Sequence, residues 1–402
     1  MDSGRKSVEI NPVSRKIKDL NKGMEIRFND RESESFSIAN QGMGTRSWTT
    51  FLTLSAYIEW KIKQTREEDK PFHPLLLLEE PESHLHPQAQ RKIYSQMKEL
   101  KGQKIISTHS PIIAAQVDLE EIIHVYKKSA TSAVNSLSLE ELSPNDVRKI
   151  KEEVIKTRGD ILFADTLILC EGETEDQVIP ILFKEYFGRE PFELGVNVVS
   201  VGGSGKYKPF MRVARDLDID LFILSDGEHT TIKDVTKHYN EVFTGVEGYD
   251  LNERIKFLPK EADFEEYLVS DGYSPELINI LDLVKGQDNF LDKFIEKNHG
   301  NLGRPRRTDD VCAECNQNIF IQETKDFAGE DGITSALIEC LTSIKTEYSA
   351  LIGQEILKRE GIDKIPTALR ELFSEIARIK LYNVNSLFAS IPKEREYAKV
   401  NK

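Results

Sequence analysis

Two clusters of acidic residues, each at the end of an apolar run, are the parts of this sequence best suited to chemistry. The first lies in Thr166-Leu167-Ile168-Leu169-Cys170-Glu171-Gly172-Glu173-Thr174-Glu175 and the second in Leu221-Phe222-Ile223-Leu224-Ser225-Asp226-Gly227-Glu228. Read as neighbouring strands, the two runs bring Glu171, Glu175, Asp226 and Glu228 to one sheet edge, where open α/β sheets place their ligands. That much negative charge repels itself unless cations sit within it. All-oxygen carboxylate sets suit Mg²⁺ or Mn²⁺ rather than zinc. Two such ions about 4 Å apart can activate a water and stabilise the leaving 3′ oxygen of a phosphodiester. Thr174 and Gln177 stand at capping-box spacing, which predicts a helix from about Asp176.

A second constellation precedes these. Leu75-Leu76-Leu77-Leu78 runs into Glu79-Glu80-Pro81-Glu82, and Ile105-Ile106-Ser107 runs into Thr108-His109. At such a strand tip one carboxylate can hold Mg²⁺ while its neighbour orients a water toward a γ-phosphate. Upstream, Gln41-Gly42-Met43-Gly44-Thr45-Arg46-Ser47 is a glycine-containing turn that opens a helix. Its free N–H groups and partial positive charge would face phosphate. Taken singly, an acidic pair is often just solvated and a single histidine often structural; the order and spacing of the pieces set them apart. A phosphate-cradling G-x-x-x-x-G-K-[ST] loop is not found. In Gly202-Gly203-Ser204-Gly205-Lys206-Tyr207 the first glycine position holds Ser200, and Tyr207 replaces the Ser/Thr. Either a partner supplies that loop, or this chain is the C-terminal portion of a split or truncated protein, which is the expectation here.

The elements that must position these residues follow from periodicity. Continuous apolar runs predict buried strands at Leu75–Leu78, Lys104–Thr108, Ile122–Tyr126, Leu167–Cys170, Val196–Val201, Leu221–Ser225 and Ile255–Leu258. Trp48–Gln64 repeats apolar residues at helical spacing, Asn145–Lys156 predicts a charged helix, and the pattern beyond about residue 265 is mainly helical. Strands alternating with helices predict an α/β fold with mostly parallel sheets.

Composition narrows the class without choosing the function. The chain has 402 residues, 39% hydrophobic and 30% charged, as in ordinary globular proteins. No apolar run is long enough to span a bilayer and no signal-like segment follows Met1, so a cytoplasmic location without a membrane partner is expected. Four cysteines do not make a disulfide scaffold. A net charge of −14 argues against binding DNA by bulk charge. Bound metal ions would nonetheless carry positive charge to a phosphate.

The acid motifs at Glu171-Gly172 and Asp226-Gly227-Glu228, with the Val201–Lys206 turn between them, resemble the Toprim domain. The pieces at Gln41–Ser47, Glu79-Glu80 and His109 resemble the C-terminal half of an ABC ATPase head. Both together, in this order, are similar to the OLD (overcoming lysogenisation defect) nucleases. By that resemblance the fold is a partial ABC-ATPase lobe (1–130), a connector (131–160), a Rossmann-like parallel-sheet Toprim core (161–262) and a mainly helical C-terminal part (263–402). The resemblance implies that Gln41, Gly42, Gly44 and Ser47 form a divergent signature and that His109 is the switch histidine. It makes Glu79 a Walker B magnesium ligand and Glu80 the hydrolytic glutamate. In the second domain it implies two Mg²⁺ or Mn²⁺ ions held among Glu171, Glu175, Asp226, Glu228 and Glu265. Glu265 is chosen from Asp263-Phe264-Glu265-Glu266, and Lys345 stabilises charge on the phosphorane. The implied activity is DNA phosphodiester hydrolysis in anti-phage defence or DNA repair. ATP would bind only with a phosphate-loop lobe supplied elsewhere, in a homodimer or an assembly with another chain.

Two rivals stay open: a non-catalytic regulatory or dimerisation module, and a RecR-like mediator that binds DNA without cutting it. Cys312 and Cys315 have metal-ligand spacing but lack two further ligands for a structural zinc. The Gly303–Arg307 run is a basic patch that suits either a DNA backbone or plain solvation.

Overall fold

The computed structural model describes residues 8–12, 24–28, 36–37, 42–67, 70, 72–128, 130–140, 142–303, 305–311, 318–343 and 345–389. It divides into two compact units, Met1–Ile122 with Ile155–Asp160 and Ile123–Val154 with Ile161–Lys402. Among the described residues no helix is long and apolar enough to cross a membrane.

The first unit begins with an antiparallel sheet of β1 (Val8–Pro12), β2 (Met24–Phe28) and β3 (Phe36–Ser37). It continues through α1 (Met43–Glu67), β4 (Leu75–Glu79), α2 (Pro87–Glu99), β5 (Gln103–Ser107) and α3 (Pro111–Ala114). Strands β4 and β5 pair in parallel, from Leu75 opposite Gln103 to Glu79 opposite Ser107. Helix α2 starts sharply because Pro87 fits its first turn and the His86 ring accepts a bond from the Gln88 N–H. The core of the unit is Phe51 and Ile58 from α1, Leu76 from β4, and Ile93, Met97 and Ile113.

The sequence-based expectation of fully buried strands fails here. Leu75, Leu77 and Ile105 are exposed, Leu77 by 72%. Successive residues of a strand point to opposite faces, and here Leu76 enters the core while its neighbours Leu75 and Leu77 face outward. The run at Ile122–Tyr126 is also corrected. It forms β6 (Ile123–Lys128), the first strand of an antiparallel hairpin with β7 (Thr131–Ser136). Ile123, Val125 and Val134 point outward, while His124 meets the Leu217 carbonyl at 3.0 Å and the Tyr126 hydroxyl donates to Asp218 at 2.6 Å. This hairpin and α4 (Pro144–Lys149), which runs on as a π-helical turn over Ile150–Ile155, lead into the second sheet.

That sheet is parallel throughout. Its strands are β8 (Thr166–Cys170), β9 (Val196–Ser200), β10 (Asp220–Ser225) and β11 (Ile255–Phe257), in the order β11-β10-β8-β9. Its connections carry α5 (Glu173–Phe187), α6 (Tyr207–Asp216), α7 (His229–Phe243) and α8 (Leu251–Arg254). Ile168, Cys170, Phe222 and Leu224 join the main core, and the alternate residues Leu167, Leu169, Leu221 and Ile223 are buried as completely. Continuous apolar runs belong on strands covered on both faces.

The remainder is helical as expected: α9 (Phe264–Leu268), α10 (Ser274–Lys285), α11 (Phe290–Asn298), α12 (Gly329–Thr342), α13 (Lys345–Ile356) and α14 (Thr367–Lys380). A hairpin, β12 (Arg306–Val311) with β13 (Asn318–Ile321), interrupts them. Leu277, Leu337, Ile352, Leu369 and Phe373 from these helices share the core with Phe183 and Leu182 of α5.

Candidate functional site

At the carboxyl end of the parallel sheet, β8 and β10 run side by side with Leu169 opposite Ile223. Glu171 and Asp226 follow directly at neighbouring tips. Glu171, Gly172, Glu173, Thr174, Glu175, Asp226, Asp263, Phe264 and Glu265 line one cavity of about 290 Å³. The four acids Glu171, Glu175, Asp226 and Glu265 that the sequence assigns to a metal site are thus brought together.

The turn after β9 fixes Glu171. The N–H groups of Gly202 and Gly203 donate to its carbonyl at 3.0 and 3.3 Å, and the Ser204 N–H donates to its carboxylate Oε1 at 3.1 Å. Gly203 has φ 126°, a conformation that excludes side chains, so the wrap needs glycine there. Helix α5 starts at Glu173 rather than near Asp176, with Gly172 as its N-cap. The predicted Thr174–Gln177 capping box does not form. Instead Glu175 reaches back to the Gly172 N–H at 3.4 Å, and the Thr174 hydroxyl donates to Glu265 at 2.9 Å.

Asp226 is aligned by its successor. A side chain on Gly227 would lie 2.0 Å from the Leu258 carbonyl oxygen, so only glycine lets the β10 tip close against the loop after β11. Gly227 donates to the Ala262 carbonyl at 3.0 Å, which brings Asp263 and α9 to the cavity. Asp263 caps α9 by accepting the Glu266 N–H at 2.9 Å. Buried Glu265 accepts from both the Thr174 hydroxyl and the Tyr348 hydroxyl, at 2.9 and 3.1 Å on the same oxygen.

Electrostatics mark this cavity out. Burial, and after it the charges of Glu175, Glu171, Asp263 and Glu265, push the Asp226 carboxyl up to about 8. Its Oδ1 is buried with no hydrogen-bond partner among the described residues. A hard divalent cation would supply what this set lacks, so the donors fit Mg²⁺ or Mn²⁺. Among the described residues no three His, Cys, Asp or Glu side chains already stand close enough to hold one ion between them.

Other sequence assignments are placed differently. Glu228 is exposed at the N-cap of α7 and does not line the cavity. Asp263 takes a place there that the sequence reading passed over, although it opens the same acidic motif. Lys345 begins α13, but its side chain lies outside the described residues, as do Cys312, Cys315, Arg304 and the side chains of Arg306 and Arg307.

The acids of the first unit lie in a more open setting. Glu79 and Glu80 are exposed at the end of β4, and the Glu80 N–H donates to the Ser107 carbonyl at 3.0 Å. Glu80 has φ 40°, and its carboxylate takes the Ser83 hydroxyl at 3.1 Å and stands 3.6 Å from His109 Nε2. Beneath them Glu82, unassigned by the sequence reading, is buried and accepts from the Thr108 hydroxyl at 2.5 Å and the His109 N–H at 3.1 Å. A side chain on Gly44 would come 3.0 Å from the His84 carbonyl oxygen, so the first turn of α1 lies close to this loop at Gly44, whereas Gly42, just before the helix, has open space around it. Gln41 and the side chain of Ser47 lie outside the described residues.

Residues 162–227 match the family model of the overcoming lysogenization defect protein-like TOPRIM domain, and residues 14–160 match a family of unknown function, DUF2813. The chain is 25% identical over 339 residues to the uncharacterized protein YbjD of Escherichia coli (strain K12), covering 83% of this chain and 52% of that protein. It is 28% identical over 220 residues to the Old nuclease of Escherichia phage P2, covering 52% of this chain and 37% of the nuclease. It is 32% identical over 162 residues to the OLD nuclease of Thermus scotoductus (strain ATCC 700910 / SA-01), covering 38% and 30%. The chain therefore spans about half the length of YbjD and about a third of each nuclease. The segment that carries Glu171 and Asp226 is therefore the one that matches the OLD-like TOPRIM domain.

Proposed function

We propose that the second unit is a nuclease module that hydrolyses DNA phosphodiesters with two divalent cations, Mg²⁺ or Mn²⁺. The observation that carries this reading is the gathering of Glu171, Glu175, Asp226, Asp263 and Glu265 around one cavity, with Asp226 pushed up to about 8 by burial and by the other four acids. When bound, such ions activate water and stabilise the leaving 3′ oxygen. The chain's own residues hold the site in shape. Glu171, wrapped by three backbone N–H groups, and Glu265, held by two hydroxyls, are anchored acceptors, and Asp226 lines the same cavity. Lys345, at the start of α13, is assigned to the charge that develops on the phosphorane. Glu228 is left out of the ligand set.

The first unit is proposed as the C-terminal lobe of an ABC-type head. Glu79 would serve as magnesium ligand, Glu80 as the water-orienting acid and His109 as its partner. ATP would bind there only with a phosphate-loop lobe supplied elsewhere, by a second copy or another chain. DNA is the proposed substrate, and anti-phage defence or DNA repair the setting.

Incubation with supercoiled plasmid and Mn²⁺ tests the nuclease reading. Asp226→Ala is expected to slow cleavage at least about a hundred-fold, the scale of losing one preorganised electrostatic group. A variant that cuts as fast as the parent overturns the site. If the parent neither cuts DNA nor binds Mn²⁺, the unit is a scaffold or a DNA-binding mediator.

A further inference from the structure

Glu265 stands apart from the other cavity acids in how it is held. It is 3% exposed, and one of its oxygens, Oε1, takes two hydroxyl donors from opposite directions in the sequence. Thr174 comes from the first turn of α5, 91 residues before it, and Tyr348 from α13, 83 residues after it. Both donors are buried, Tyr348 completely. A carboxylate oxygen has two lone-pair directions in its plane, and two donors occupy them. The carboxylate plane is thereby fixed, and Glu265 cannot ligate a cation through both oxygens without giving up a hydroxyl.

We propose that Thr174 and Tyr348 are positioning residues that clamp Glu265 for one-oxygen ligation of a divalent cation and tie α13 to the cation site. The proposal rests on the metal-site reading above and names residues that neither the acid motifs nor their spacing disclose. The helical geometry gives the tie its reach. Tyr348 lies in the first turn of α13, three residues after the helix begins at Lys345. Anchoring Tyr348 on Glu265 sets the height and rotation of the turn that bears Lys345. Groups that orient ligands in this way typically change metal affinity by 10- to 100-fold when removed.

The test is Mn²⁺ binding to the whole chain, followed by titration calorimetry and by the paramagnetic resonance spectrum of the bound ion. Tyr348→Phe removes one oxygen atom, and Thr174→Val removes the other donor at nearly constant volume. Each is expected to weaken Mn²⁺ about 10-fold or more and to alter the bound-ion spectrum. The thermal transition of the metal-free protein monitors folding separately. In a Glu265→Ala background, Tyr348→Phe is expected to cause no further loss of affinity. Unchanged affinity in both single variants, or an undiminished loss in the Glu265→Ala background, overturns the clamp while leaving the metal site standing. A parent chain that binds no Mn²⁺ overturns the metal reading, and the clamp with it.

Discussion

The two units carry the same sequence device, an apolar strand ending in acids, and use it in opposite ways. In the second unit β8 and β10 are inner strands of a four-stranded parallel sheet, buried on both faces, and their acids converge on one cavity. In the first unit β4 and β5 form a two-stranded sheet with one open apolar face, and Glu79 and Glu80 stand in solvent. Burial makes the difference. Desolvation and mutual repulsion raise Asp226 to about 8, whereas Glu82, the buried acid among the described residues of the first unit, takes the Thr108 hydroxyl and the His109 N–H on one oxygen. The second unit crowds its acids together in a buried setting; the first leaves Glu79 and Glu80 open to solvent.

The sharpest way to break this contrast is to cut one leucine from each sheet. Leu169→Ala removes a fully buried side chain and is expected to cost about 3 kcal/mol. Leu77→Ala trims a side chain that is already exposed and should cost under about 0.5 kcal/mol. Denaturant melts of the two variants measure both, and equal losses would mean that the first sheet is covered in solution.

A smaller effect is expected from pH. The Asp226 carboxyl is raised in the folded chain above its unfolded value, so the folded state holds the proton more tightly. Its contribution to stability is complete below about pH 4 and is lost as pH rises through about 8. Metal-free protein should therefore lose stability across that window more steeply than an Asp226→Asn variant, and Mg²⁺ should restore the parent at the alkaline end. Thermal melts across pH, with and without Mg²⁺, measure this. Identical profiles for parent and variant would contradict the crowding of acids around Asp226.

The smallest effect is expected at Glu80. Its charge is exposed and its His109 contact is long, so Glu80→Gln should shift stability by under about 0.5 kcal/mol. A larger loss in the same denaturant melts would show that the first unit's acids are as strongly coupled as the second unit's.

Much of the second unit could be read in the sequence because local pattern and tertiary setting agree there. Leu167–Cys170 and Leu221–Ser225 are apolar runs that are in fact covered on both faces. The run Leu75–Leu78 looks the same in sequence, yet coverage depends on neighbours that the run does not encode. The site shows the same limit. Glu171 and Asp226 could be placed because each ends its own strand. Asp263 reaches the cavity only because Gly227 lets two loops close, and Glu228 misses it because the chain has by then turned into α7. Thr174 and Tyr348 meet Glu265 across 91 and 83 residues, a separation at which spacing carries no signal.

The glycine-rich turn after β9 invites comparison with nucleotide-binding loops, but the protein's own anion already fills it. Three consecutive amides, from Gly202, Gly203 and Ser204, close on the backbone and carboxylate oxygens of Glu171. A nucleotide phosphate would have to evict that internal occupant. Substituting Gly203 would therefore unseat a strand-tip acid, and no nucleotide contact would be lost with it.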